Sequence, residues 1–208
     1  MYAFLVIDVQ NDFCPGGKLA VPNGDDIIKT INNISPLFQY VVQTQDWHPL
    51  DHASFASNHE GKNAYDTITL PYGDQVLWPN HCVQESRGAE FHPELETQNT
   101  SMIIRKGFRS NIDSYSAFFE NDKTTSTGLK GYLDSLGVTT VFIAGLATDF
   151  CVKWSALDAL QCGYKTYVIE DAVKGIDIDN SVQIAMKEMY EAGVEFIESS
   201  YLAPFLNA

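Results

Sequence analysis

Basic charge is scarce in this chain. Thirteen lysines and arginines stand against 27 aspartates and glutamates, for a formal net charge of −14 at pH 7. That balance argues against nucleic acid or an anionic membrane as partner, because both select a basic surface. Long apolar runs are missing too. The apolar stretch at residues 1–8 is too short for a membrane span, and it has neither a basic start nor a small-residue cleavage site. Cysteine is sparse, with Cys14, Cys82, Cys151 and Cys162 forming no CxxC pair and no dense framework. Together these absences predict a reduced, cytoplasmic protein with free thiols. Repeats, low-complexity tracts and linkers are lacking as well, so residues 1–208 are expected to form one domain. Whether it works as a monomer or a homo-oligomer stays open.

What is present is a globular composition, 45% hydrophobic and 19% charged, at a length that fills a core. Short apolar strands alternate with amphipathic helices. Residues 4–9 read as a strand, as do the segments around Val41, Met102 and Val141, then 166–169 and 194–197. Ile27, Ile31, Ile34 and Phe38 mark one helix face; Leu129, Leu133 and Leu136 mark another, closed by Gly137. Val182, Met186 and Met189 mark a last one. This alternation predicts a three-layer α/β/α fold around a mostly parallel sheet. Only residues 45–101 break the rhythm, and they hold all five histidines. A connection that long in a compact domain is usually functional.

The segment Gly145-Leu146-Ala147-Thr148-Asp149-Phe150-Cys151-Val152 follows an apolar strand and opens a helix marked by Val152, Ala156, Ala159 and Leu160. Thr148 or Asp149 is the natural N-cap. Cys151 then sits in the first helical turn, where free N–H groups and the helix dipole favour a thiolate. Taken alone, it reads as readily as a small buried hydrophobe. Two other strand ends carry reactive groups, Asp8 and Lys106. In a parallel sheet these ends share one edge. There an aspartate can take the thiol proton, and a lysine can keep that carboxylate ionised. Singly, Asp8 reads as a loop-binding carboxylate and Lys106 as a solvated strand end. All three at equivalent topological positions point to chemistry.

Asp46 and His48 stand two apart in an extended segment, so both point to one side. With His81 they make one carboxylate and two imidazoles, a set suited to one divalent ion: Zn²⁺, Fe²⁺ or Mn²⁺. His52 is an alternative ligand or a supporting residue; His59 and His92 look peripheral. Phe13, Trp78 and Tyr115 flank the proposed reactive groups and suit a flat aromatic ligand.

On these residues the chain resembles the nicotinamidase (pyrazinamidase) branch of the isochorismatase-like cysteine amidohydrolases. The resemblance runs through Asp8-Val9-Gln10-Asn11-Asp12-Phe13, Thr44-Gln45-Asp46-Trp47-His48-Pro49, Trp78-Pro79-Asn80-His81-Cys82-Val83, Lys106-Gly107, Asp113-Ser114-Tyr115-Ser116-Ala117-Phe118 and the Cys151 segment. It covers nearly the whole chain. It implies a Rossmann-like topology, a catalytic triad of Asp8, Lys106 and Cys151, and a metal on Asp46, His48 and His81. It also implies a ring pocket from Phe13, Trp78 and Tyr115. A cis peptide between Leu146 and Ala147 is implied too, aiming the N–H groups of Ala147 and Cys151 at an oxyanion. The activity it implies is hydrolysis of nicotinamide to nicotinate and ammonia in NAD salvage, with pyrazinamide as a further substrate.

Three readings compete. A sister amidase would act on carbamoyl or ureido compounds, but such relatives generally lack the metal set. A metallohydrolase would attack with metal-bound water and leave Cys151 structural. A binding module on the same fold would not need all of Asp8, Lys106 and Cys151.

Overall fold

Strands and helices alternate along the chain as the apolar pattern predicts. Residues 1–206 are described by a computed structural model. The strands are β1 (Tyr2–Ile7), β2 (Tyr40–Asp46), β3 (Thr67–Leu70), β4 (Gly73–Val76), β5 (Thr100–Lys106), β6 (Thr140–Leu146), β7 (Lys165–Lys174) and β8 (Glu195–Ile197). The α-helices are α1 (Ile28–Ile34), α2 (Leu129–Ser135), α3 (Lys153–Gln161), α4 (Ser181–Ala192) and α5 (Leu202–Leu206).

Six strands form one sheet in the order β5-β2-β1-β6-β7-β8, every neighbouring pair parallel. Strand order reverses between β1 and β6, the switch point where open α/β sheets bind ligands. Register pairs Ile7 with Gly145 and Asp46 with Lys106, so the carboxyl ends of four strands finish nearly level.

Both faces of the sheet are apolar, which is why its strands read as unbroken hydrophobic runs. Phe4, Val6, Val41, Phe142 and Ala144 pack against Ile28, Ile31 and Ile34 of α1 and Leu202 of α5. Leu5, Ile7, Val42, Val141 and Ile143 face the other way, onto Leu129 and Leu133 of α2, Ala156 and Ala159 of α3 and Met189 of α4. Each large side chain so buried contributes about 1.5–3 kcal/mol of transfer free energy.

Three expectations change. β1 stops at Ile7, because Asp8 turns into the left-handed region at φ +48°. Cys151 lies in a π-helical turn, Thr148–Val152, that precedes α3, and neither Thr148 nor Asp149 caps it. The Asp149 carboxylate accepts hydrogen bonds from Ile176 and Asp177 N–H and from Ser181 Oγ instead. Residues 45–101 are not featureless either. They hold the β3–β4 hairpin and the isolated bridges His48↔Val83 and Phe55↔Trp78, which fix the segments carrying the metal-ligand candidates and Trp78. No helix of the described residues is long and apolar enough to cross a membrane.

Candidate active site

Asp8, Lys106 and Cys151 meet behind the strand ends, all buried. Thr44 Oγ1 donates to Asp8 Oδ1 at 2.6 Å and accepts from the Asp8 N–H at 3.1 Å, which holds the carboxyl in place. Asp8 Oδ2 lies 2.8 Å from Lys106 Nζ as an ion pair and has no aligned hydrogen-bond partner among the described residues. That oxygen is the one free to receive a proton. Lys106 Nζ also bonds Asp46 Oδ1, donates to the Ser114 carbonyl at 3.0 Å and sits 3.5 Å from Cys151 Sγ.

Burial raises the Asp8 pKa to about 6, with Lys106 opposing it and Asp46 reinforcing it. Burial works against a charged Lys106, but Asp46 and Asp8 outweigh it and keep the ammonium. For Cys151, burial dominates and pushes the thiol well up, with Lys106 pulling the other way. Desolvation therefore opposes the thiolate that the helix start favours.

Asp46, His48 and His81 present ligand atoms within 4.8 Å of one another. Asp46 Oδ2 stands 3.6 Å from His48 Nε2 and 3.8 Å from His81 Nε2. His48 Nδ1 lies 2.8 Å from the Gly107 carbonyl, and His81 Nδ1 lies 2.8 Å from the Pro79 carbonyl. A carbonyl only accepts, so both Nδ1 atoms carry hydrogen and both Nε2 lone pairs are left for a cation. Burial works against the Asp46 carboxylate, but the Lys106 ammonium opposes it, and the pKa lies well below the usual range. An ionised carboxylate beside two fixed imidazoles fits a divalent metal. Gly107 is required here. It has φ +62°, and a Cβ on it would fall 2.4 Å from His48 Cε1.

His52 does not join this set as it stands. Its Nδ1 bonds Ser54 Oγ at 2.7 Å and its Nε2 bonds the Ile112 carbonyl at 3.1 Å. Burial and the neighbouring His48 lower its pKa to about 4, so it stays neutral. Its ring packs against that of His48, tilted at 43° with centroids 4.3 Å apart, and so helps fix that ring. His59 bonds the Ala53 carbonyl, well inside its own loop.

Between the thiol and the metal-ligand candidates lies a narrow cleft. Phe13, Trp78, Tyr115 and Ala147 line it with Asp46, His48, His81 and Cys151. The Leu146–Ala147 peptide is cis. Trp78 Nε1 donates to Tyr115 Oη at 3.2 Å and Gln75 Nε2 donates to the same oxygen at 3.0 Å, which fixes both rings. Four lining residues escaped the sequence reading: Leu19, Asp113, Phe150 and Ile176. Phe150 had a signal, since it directly precedes Cys151, and it stands edge-on to Trp78 at 4.9 Å. Ile176 had none; only the return of the chain after β7 brings it here.

Residues 2–200 match the isochorismatase domain. The chain is 57% identical to the nicotinamidase of Acinetobacter baylyi over 197 residues, covering 95% of this chain and 92% of that one. Its structure superposes on the nicotinamidase pyrazinamidase of Acinetobacter baumannii with a TM-score of 0.95 at 56% identity, covering 97% of each chain. It also superposes on the pyrazinamidase of Pyrococcus horikoshii in complex with zinc, with a TM-score of 0.78 at 37% identity, covering 95% of this chain and 98% of that one. The all-parallel sheet, the cleft at its switch point and these similarities converge: the chain belongs to the isochorismatase domain family.

Proposed function

We propose that this protein hydrolyses nicotinamide to nicotinate and ammonia through a thioester on Cys151, and that it accepts pyrazinamide. One observation carries the reading. A cleft lined by aromatic rings has a carboxylate, ammonium and thiol set at one end and a carboxylate with two imidazoles at the other. Its lining of aromatic rings with a few convergent polar groups suits a single flat ring.

Asp8 Oδ2 takes the Cys151 proton as sulfur attacks the carboxamide carbon. Coupling the two events avoids forming a free thiolate in a buried site. Lys106 stabilises the negative charge on whichever group carries it. The N–H groups of Ala147 and Cys151 receive the oxyanion; such a donor is worth roughly 2.7–4 kcal/mol in well-studied cases. Asp8 then returns its proton to the departing ammonia, and next activates the water that cleaves the thioester. Phe13, Trp78 and Tyr115 hold the ring. Asp46, His48 and His81 would hold a divalent metal, with zinc the proposed ion. When bound, it supplies a Lewis-acid position for the pyridine nitrogen.

Benzamide has the same ring and carboxamide but no ring nitrogen. Its kcat/KM is expected to fall at least about 100-fold below that of nicotinamide, because a polar contact left unmet discriminates sharply. Ammonia release from the two compounds measures this directly. Equal values would remove the orienting role of the metal site and reopen the substrate assignment.

A second expectation concerns pH. Asp8 must be ionised to accept the thiol proton, and its pKa is raised to about 6. Activity should therefore hold above that pH and drop as pH falls through it, with kcat/KM losing about tenfold per unit below. A profile flat down to pH 4.5 or so would show that Asp8 is not the base.

A further inference from the structure

Gln10 and Asp12 follow β1 and are buried, yet neither serves the reaction or the metal-ligand set directly. What they do follows from where β1 stops. Its ladder with β2 ends at Val6↔Gln43, and Asp8 turns away at φ +48°, which brings its carboxylate to Lys106. Asp46 lies beyond that last pair, level with Lys106 of β5 on one side and facing the vacated place on the other.

The Gln10 side chain fills that place. Its Oε1 accepts from the Asp46 N–H at 2.8 Å, and its Nε2 donates to the Asp46 carbonyl at 2.9 Å. A side-chain amide thus takes both backbone groups that a longer β1 would have paired, and buried peptide groups need such partners. Nε2 also donates to the Ala89 carbonyl at 2.8 Å, so both of its hydrogens are used. Asp12 holds the other ligand segment. Its Oδ2 accepts from the Cys82 N–H at 2.8 Å, one residue after His81, and its Oδ1 accepts from the Lys18 N–H at 3.2 Å. Gly88 packs so closely here that a Cβ on it would fall 2.0 Å from Asp12 Oδ2. Two residues at one strand end therefore hold segments 36 and 70 residues away, and those segments carry Asp46 and His81.

We infer that Gln10 and Asp12 are positioning residues for the metal site. This rests on the proposed reading of Asp46, His48 and His81 as metal ligands. Lys106 Nζ bonds Asp46 Oδ1, which leaves Oδ2 to stand against the two imidazole Nε2 atoms. A rotation of the Asp46 backbone would carry Oδ2 away from them, and Gln10 opposes that rotation at both the N–H and the C=O. Asp12 fixes the backbone just past His81 in the same way. Supporting contacts of this kind govern metal affinity without touching the ion.

The test titrates zinc into metal-free protein against a competing chelator and needs no turnover. Gln10→Met keeps the side-chain length and makes none of the three bonds. Asp12→Asn keeps the shape but turns an N–H₂ group toward one of the two donors. Each should weaken zinc binding by about 10–100-fold. The control is Leu133→Ala, in the part of α2 that leads into β6 and so away from the carboxyl ends of the strands. It lowers the melting temperature too, but zinc affinity measured well below that temperature should stay within about twofold of wild type. Should neither site variant fold, the wild type decides. The Gln10 Nε2 hydrogens should exchange with solvent at least about 100-fold more slowly than those of a free amide, and their NMR signals should move when zinc binds. Wild-type affinity in either site variant, an equal loss in Leu133→Ala, or freely exchanging Gln10 hydrogens would overturn the inference alone. No zinc binding by the wild type would overturn the metal reading and the inference with it.

Discussion

Replacing Cys151 with alanine is expected to lower kcat by at least about 10⁴-fold, the scale on which removing a nucleophile acts, while leaving the fold and metal content intact. The side chain is small and packs at the start of α3 among Val152 and Ala156, so alanine fills most of its space. Asp46, His48 and His81 do not depend on it for their mutual arrangement, which is fixed by Lys106 and by the Gly107 and Pro79 carbonyls. Wild-type protein quenched during turnover should carry a nicotinoyl adduct on Cys151, read by mass spectrometry of the peptide. Near-normal turnover in the alanine variant would end the covalent mechanism and favour attack by metal-bound water.

Asp8→Ala and Lys106→Ala should each lower kcat by orders of magnitude, and the double variant by little more. Groups that act as one unit lose most of their effect when any member goes. Asp8 Oδ2 and Lys106 Nζ stand 2.8 Å apart, and both engage Cys151. The two single variants differ in stability. Lys106→Ala strips the cation from two buried carboxylates, Asp8 and Asp46, and leaving buried charge uncompensated costs about 3–5 kcal/mol. Asp8→Ala leaves Lys106 still paired with Asp46. A lower melting temperature for Lys106→Ala than for Asp8→Ala, with matching losses of kcat, is the expected pattern. Additive losses in the double variant would show that the two groups act independently.

The central strands were legible because both faces of the sheet are buried. That makes Phe4 to Ile7 and Val141 to Leu146 continuous apolar runs, and the helices between them show a single apolar stripe. The motifs were legible for a related reason. Asp8, Asp46, Lys106 and Cys151 all stand at or just after strand ends, so a parallel sheet alone predicts that they meet. Their local order in the chain contains that information.

Other features depend on distances the chain does not encode locally. The electrostatic surroundings of the Cys151 thiol are one. The sequence shows a helix start, but only the closed site shows burial pushing the thiol pKa up while Lys106 pulls it down. The role of Asp149 is another, since a residue placed to cap its own helix found better donors in a segment 27 residues downstream. His52 matched a ligand by type, and its loop turned both nitrogens to Ser54 and Ile112. Ile176 reached the cleft only because β7 and α4 pack as they do. The sequence by itself determined the layers, the strand ends and the residues that stand there, because burial and periodicity act locally. The tertiary structure decided which charges survive, which hydrogen bonds win and which distant apolar side chain lines the cleft. Desolvation and competition for donors depend on every neighbour at once.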